Sequence, residues 1–181
     1  LYFLGQAHLR HFDFTREAEV CLGEIVSQTH ETAQMCLLNG RKYTVALMRE
    51  GQRHFRISSD IGENAPIPWT ASGRLLLGHL SDQQIIDLID HDDFILPDGQ
   101  RLPLDTFLGQ IRQASLDGFF SFDSVADTFT HCFAAPVRDA QGIAIATLCI
   151  VAPRADAQNH YNDYRRVLID SANNLARRIN E

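Results

Sequence analysis

Several features that would assign a chemistry at once are missing from this chain. It has no Gly-rich phosphate loop and no G-x-S-x-G elbow, so two common signatures of nucleotide binding and ester hydrolysis are excluded. It has no CxxC pair: Cys21, Cys36, Cys132 and Cys149 are scattered, and nothing reads as a signal peptide. That usage fits reduced, buried thiols in a cytoplasmic protein. No apolar run approaches the roughly 20 residues that cross a bilayer, so no membrane partner is expected. The 16 basic residues are spread thinly among 23 acidic ones, with no basic stripe, so this chain alone is not expected to bind nucleic acid. His8 and His11 are spaced as H-x-x-H, but no third ligand of matching spacing lies nearby. Neither a metal nor a cofactor is therefore expected. Internal repeats and low-complexity segments are also absent.

What is present is one domain of ordinary size, residues 1–181, with 45% hydrophobic residues. That is enough to bury roughly two-thirds of the unfolded surface. Its most informative stretch is Thr130–Pro153, two long apolar strands joined by Arg138-Asp139-Ala140-Gln141-Gly142, a turn composition. A four-residue loop Asp139–Gly142 would set Arg138 opposite Ile143, Cys132 opposite Cys149 and Ala134 opposite Thr147. Side chains alternate along a strand. One face then carries Phe133, Ala135, Val137, Ala144, Ala146, Leu148 and Ile150, a core surface. The other carries Cys132, Ala134, Ile145, Thr147, Cys149 and Val151, mostly small. Such a face reads as the floor of a ligand pocket, or else as a floor that a helix approaches closely.

The rest of the chain supplies the walls. Leu1–Phe12 reads as an opening segment broken by Gly5, the end of something that continues upstream. Thr15 is a helix N-cap candidate, and Ala18, Cys21, Leu22, Ile25 and Val26 have amphipathic helix spacing to about His30. Strands are expected over Thr32–Leu38, Tyr43–Arg49 and His54–Ser58, the first pair joined at Asn39-Gly40, a strong hairpin signal. Pro66 and Pro68 force an extended approach to a helix capped by Thr70, with Ala71, Ser72 and Gly73 in its first turn. Backbone N–H groups there have no intrahelical acceptor, and small side chains let an anion reach them. The same residues also fit a capped helix crossing a sheet. A short helix follows Ser81, then a loop with a Pro97-Asp98-Gly99 turn, a helix over Leu104–Leu116, a strand over Phe119–Phe122, and a long amphipathic helix from Tyr161 to Ile179. The order α-βββ-ααα-βββ-α gives an α+β fold with a six-stranded, mainly antiparallel sheet flanked by helices.

Catalysis has little support. His131 and Cys132 are strand neighbours and point to opposite faces, so they do not form a nucleophile–base pair. Cys149 on an apolar strand reads as a core thiol.

Several stretches together resemble one family: Tyr2-Phe3-Leu4-Gly5, the run Pro68-Trp69-Thr70-Ala71-Ser72-Gly73-Arg74-Leu75-Leu76-Leu77, Cys132-Phe133-Ala134-Ala135-Pro136-Val137, Gly142, and Leu148-Cys149-Ile150-Val151-Ala152-Pro153. In that order they look like the C-terminal effector-binding domain of IclR-type bacterial transcription regulators. The resemblance implies a GAF-like or profilin-like sheet that binds a small organic acid and does no chemistry. It implies that residues 1–13 end an interdomain linker, and that an N-terminal winged helix-turn-helix domain, outside this chain, contacts DNA. It implies self-association as a dimer or tetramer. By resemblance the amides of Ala71, Ser72 and Gly73 hold the carboxylate, Asp123 contributes before the strand, and Cys132 matches the strand cysteine. Serines of many members are replaced by Cys149 and Val151. With Trp69, that departure favours a carboxylic acid with an apolar or aromatic body. The candidate ligand contacts are thus Trp69, Ala71, Ser72, Gly73, Asp123, Cys132, Ala134, Thr147, Cys149 and Val151. Two other readings remain: an oligomerisation module without a ligand, and an enzyme using a pocket cysteine.

Overall fold

A computed structural model of the chain describes residues 2–53 and 60–180, with side chains from residue 13 onward. The strand expected over His54–Ser58 and the side chains of His8 and His11 lie outside the described residues.

Helix α1 (Tyr2–Thr29) runs as one helix of 28 residues. The expected break at Gly5 and the cap at Thr15 do not occur. A single interior glycine costs about 1 kcal/mol, and the far half of α1 is anchored by Ala18, Cys21, Leu22, Ile25 and Val26, all buried. Strands β1 (Thr32–Asn39) and β2 (Lys42–Arg49) form the expected hairpin, with Asn39 opposite Lys42 and Gly40 at φ 60° in the two-residue loop. Strand β3 (Asn64–Pro66) pairs with β2. Pro66 lies on this edge strand, where a missing N–H does least harm.

Three helices follow: α2 (Ala71–Leu76), α3 (Asp82–Leu88) and α4 (Leu104–Asp117). Ser81 and Gln84 close a reciprocal capping box on α3, and Gly118 ends α4 at φ 59°, the left-handed position that glycine fills without strain. Strands β4 (Phe120–Asp123), β5 (Thr130–Arg138) and β6 (Ala144–Pro153) complete the sheet, followed by α5 (Arg154–Asn159) and α6 (Tyr161–Asn180). The sheet order is β3-β2-β1-β6-β5-β4, and every pairing is antiparallel.

The β5–β6 register differs from the four-residue-loop expectation by two residues. Cys132 faces Val151, Ala134 faces Cys149, and Arg138 faces Ala144 across a bulge beside Val137. The Asp139 carboxylate accepts the amides of Gln141 and Ile143, which holds Ile143 in the loop instead of the strand. A slip of two residues preserves which side chains share a face, so the division into two faces stands. Phe133, Ala135, Val137, Ala146, Leu148 and Ile150 form the main core with α1 and α6. The opposite face is covered by α2 and α4, with Cys36, Val45, Ala134 and Cys149 against Ala71, Leu75 and Ala114.

Candidate functional site

The chain approaches α2 through a short turn, Ile67–Trp69, that buries Ile67 and Pro68. Thr70 then caps α2 as its sequence position implies. Its Oγ1 accepts from the Gly73 amide at 3.0 Å and donates to the Ile67 carbonyl at 3.0 Å. The Trp69 indole N–H is shared between the carbonyls of Asp93 and Ile95, at 3.0 and 3.1 Å. Its polar atom is therefore satisfied outside the site, and the ring is left as an apolar wall.

Between this wall and the sheet lies a cavity of about 120 Å³. Trp69, Ala71 and Ser72 border it from above, and Cys132, Cys149 and Val151 border it from the floor. Four other candidate residues stand elsewhere. Ala134 and Thr147 are fully buried beneath α2, and Thr147 Oγ1 donates to Ser72 Oγ at 2.7 Å. Gly73 packs on the other side, where a Cβ would meet the Ile67 carbonyl oxygen at 2.4 Å. Its amide is already used by Thr70. Asp123 lies opposite His131 on the sheet, hence on the face away from Cys132. It accepts from His131 Nδ1 at 2.8 Å and pairs with Arg154 at 3.5 Å.

The acidic side chain at the cavity is instead Asp127. Burial alone would push its carboxyl up. Hydrogen bonds from the Thr130 hydroxyl, the amides of Phe129 and Thr130, and Ser124 outweigh that and hold it below its ordinary value. Both of its oxygens serve its own loop. Asn in place of Asp127 keeps one acceptor but loses the charge, and is expected to cost about 1 kcal/mol. Because the folded carboxyl titrates below its unfolded value of 3.8, this stabilisation is complete above that pH and lost as pH falls through the folded value. Urea unfolding of parent and variant should converge at low pH; a gap that stays constant would contradict the assignment.

Gln34 and Tyr43 also border the cavity. Gln34 is only 2% exposed, and its Nε2 faces the Met48 sulfur at 3.6 Å, a weak acceptor. A glutamine in the apolar run Thr32–Leu38 is the sequence signal that could have marked it. Tyr43 has no comparable local signal; its hydroxyl lies 2.9 Å from Cys36 Sγ.

The thiols differ. Burial pushes Cys132 up to about 12. Burial also raises Cys36. Cys149 is held below the ordinary thiol value, first by its contact with Cys36 and then, against burial, by the Ser72 and Thr147 hydroxyls.

The fold and the order of these motifs match a known family model: residues 6–177 match the C-terminal domain of the bacterial transcriptional regulator IclR. The chain belongs to this family. It is 23% identical over 178 residues to the HTH-type transcriptional regulator KdgR of Dickeya chrysanthemi, covering 97% of this chain and 58% of that protein. The chain thus spans little more than half the length of that relative. IclR of Thermotoga maritima superposes with a TM-score of 0.82 at 20% identity, covering 100% of this chain and 74% of that one. The C-terminal domain of Escherichia coli KdgR gives 0.78 at 20% identity, covering 93% and 99%. These structural likenesses establish a shared α+β fold with a six-stranded antiparallel sheet. Among the described residues, no helix is long and apolar enough to cross a membrane.

Proposed function

We propose that this IclR-family domain senses a small carboxylic acid bound in the cavity between Trp69, the start of α2 and the β5–β6 floor. The observation that carries this reading is the cavity itself, apolar for the most part yet bordered by Gln34, whose amide nitrogen has only a sulfur partner among the described residues. The amides of Ala71 and Ser72, ahead of the first intrahelical acceptor, are the donors for the carboxylate. Trp69, Cys132 and Val151 receive an apolar or aromatic body. An engineered cavity of about 150 Å³ holds benzene, so the space here suits a ligand of that size or smaller. Asp123 and Gly73 are not retained as ligand contacts, and Ala134 and Thr147 support the floor from beneath α2.

The domain performs no reaction in this reading. An acid that favours one arrangement of the domain over another shifts operator affinity by that difference. The DNA contacts come from an upstream winged helix-turn-helix domain in a longer cytoplasmic protein, joined through α1, and the domain self-associates.

A thermal-shift screen of carboxylic acids tests this. A ligand at about 100 times its dissociation constant adds about 2.7 kcal/mol of stability, and Trp69, the single tryptophan, reports binding by fluorescence. Aromatic or branched acids should stabilise the chain, and Trp69→Ala should abolish the shift. Stabilisation by glyoxylate or pyruvate alone would overturn the apolar-body assignment. No shift with any acid would favour an oligomerisation module.

A further inference from the structure

Three thiols share the cavity side of the sheet, and their surroundings are unequal. Cys132 and Cys149 both border the cavity, but Cys132 has no hydrogen-bond partner among the described residues. Cys149 stands at the end of two donor chains. In the first, Thr147 Oγ1 donates to Ser72 Oγ at 2.7 Å, and the Ser72 proton is then available to Cys149 Sγ at 3.0 Å. In the second, the Tyr43 hydroxyl lies 2.9 Å from Cys36 Sγ, and Cys36 Sγ lies 3.8 Å from Cys149 Sγ. A phenol is the stronger donor of that pair, so the Cys36 proton is free to turn toward Cys149. Both chains deliver protons to one sulfur whose own proton is in excess, which favours its thiolate.

A thiolate that borders a cavity and touches a second thiol has the parts of a two-cysteine oxidation site. We propose that Cys149 is modified by small hydroperoxides, with Cys36 as its resolving partner. In the first step the Cys149 sulfur attacks one peroxide oxygen. An S–O bond forms, the O–O bond breaks, and the departing oxygen leaves as water or an alcohol with the thiol proton. Cys149 becomes a sulfenic acid. In the second step the Cys36 sulfur attacks the Cys149 sulfur, the S–O bond breaks, and the hydroxyl leaves as water with the Cys36 proton. Two thiols lose two electrons and the peroxide gains them.

The sulfurs must close from 3.8 Å to the roughly 2.05 Å of a disulfide. Cys36 faces Thr147 while Cys149 faces Gln34, so the pair is diagonal across β1 and β6 and some backbone movement is required. The β1–β2 pairing skips Ala46 of β2 between Met35 and Cys36, so the bulge lies on the neighbouring strand and the ladder beside Cys36 is irregular on that side. Closure would take Cys36 off Tyr43 and Cys149 off Ser72, and so would reshape the cavity floor. This chemistry does not depend on the acid-sensing assignment.

The test treats the reduced, purified chain with hydrogen peroxide and dimedone, and maps all four cysteines by peptide mass spectrometry. Cys149 should label about tenfold or more faster than Cys132, although both border one cavity. Ser72→Ala should narrow that ratio while Trp69 fluorescence still reports a folded chain. Without dimedone, a cross-linked Cys36–Cys149 peptide should accumulate, and Cys36→Ser should stop the reaction at the Cys149 sulfenic acid. Equal labelling of Cys132 and Cys149 would mean that access alone governs reactivity and would overturn the proposal. A persistent sulfenic acid in the parent chain, with no cross-linked peptide, would remove Cys36 from it.

Discussion

Replacing Arg74 by methionine should lower the unfolding free energy by about 3 kcal/mol, because its loss strands several buried acceptors at once. The guanidinium is 2% exposed and donates to the carbonyls of Pro68 and Thr70 at 2.6 and 2.7 Å. Its other nitrogens reach Gln110 Oε1 at 3.1 and 3.0 Å. Among the described residues no carboxylate pairs with it. The charge is instead surrounded by the rings of Phe107, Phe120 and Phe122, 4.8 to 5.2 Å away, where cation–π attraction replaces part of the lost hydration. Burial pushes its pKa down to about 9, so the side chain is still protonated at neutral pH. Lysine should not rescue it: an ammonium lacks the planar fork that spans two carbonyls and an amide. Pro68 and Thr70 flank Trp69, so both variants should also shift Trp69 emission. Denaturant unfolding checks the stability, and a loss under about 1 kcal/mol with unaltered emission would show that Arg74 does not hold this turn.

Gly73→Ala should produce the second largest effect, about 1–3 kcal/mol of destabilisation by overpacking. The added Cβ would stand 2.4 Å from the Ile67 carbonyl oxygen and 2.7 Å from Ile67 Cγ2. A backbone carbonyl in a turn held by Thr70 cannot swing away as a flexible side chain would. Relief requires α2 to move from the Ile67–Trp69 turn, stretching the Thr70–Gly73 cap and moving Ser72 relative to Cys149. The variant should therefore lose stability and alter ligand response together. A stability within about 0.5 kcal/mol of the parent, the usual range of innocuous substitutions, would show that the contact relaxes without consequence.

Much of this arrangement is legible in the primary structure because its signals are local. Asn39-Gly40 announces the β1–β2 hairpin, Ser81 with Gln84 announces the start of α3, and Thr70 announces the cap of α2. Each acts within three or four residues, where backbone chemistry decides the outcome. Strand alternation also separates Phe133 and Ile150 from Cys132 and Val151 correctly, since that division survives a register error of two.

The misplacements have a common origin. Asp123 and Asp127 are acids four residues apart in one polar stretch, and only the pairing of Asp123 with His131 at the end of β4 puts one on the far face. The β5–β6 register turned on whether the Asp139 carboxylate would capture two loop amides, which composition does not announce. Among the described residues, Asn64–Pro66 joins the first meander by pairing with β2, from a stretch that otherwise reads as an extended approach to a helix.

The amino-acid order alone determined the class of fold, the two faces of the sheet and the family, because periodicity, caps and turns are properties of neighbouring residues. Which side chains meet across the cavity was decided only by tertiary structure. Gln34, Tyr43, Trp69, Ser72 and Cys149 come from four separated segments, and their distances depend on a bulge, a loop hydrogen bond and the seat of a six-residue helix. Contacts of that kind arise from packing between elements, and no single element encodes them.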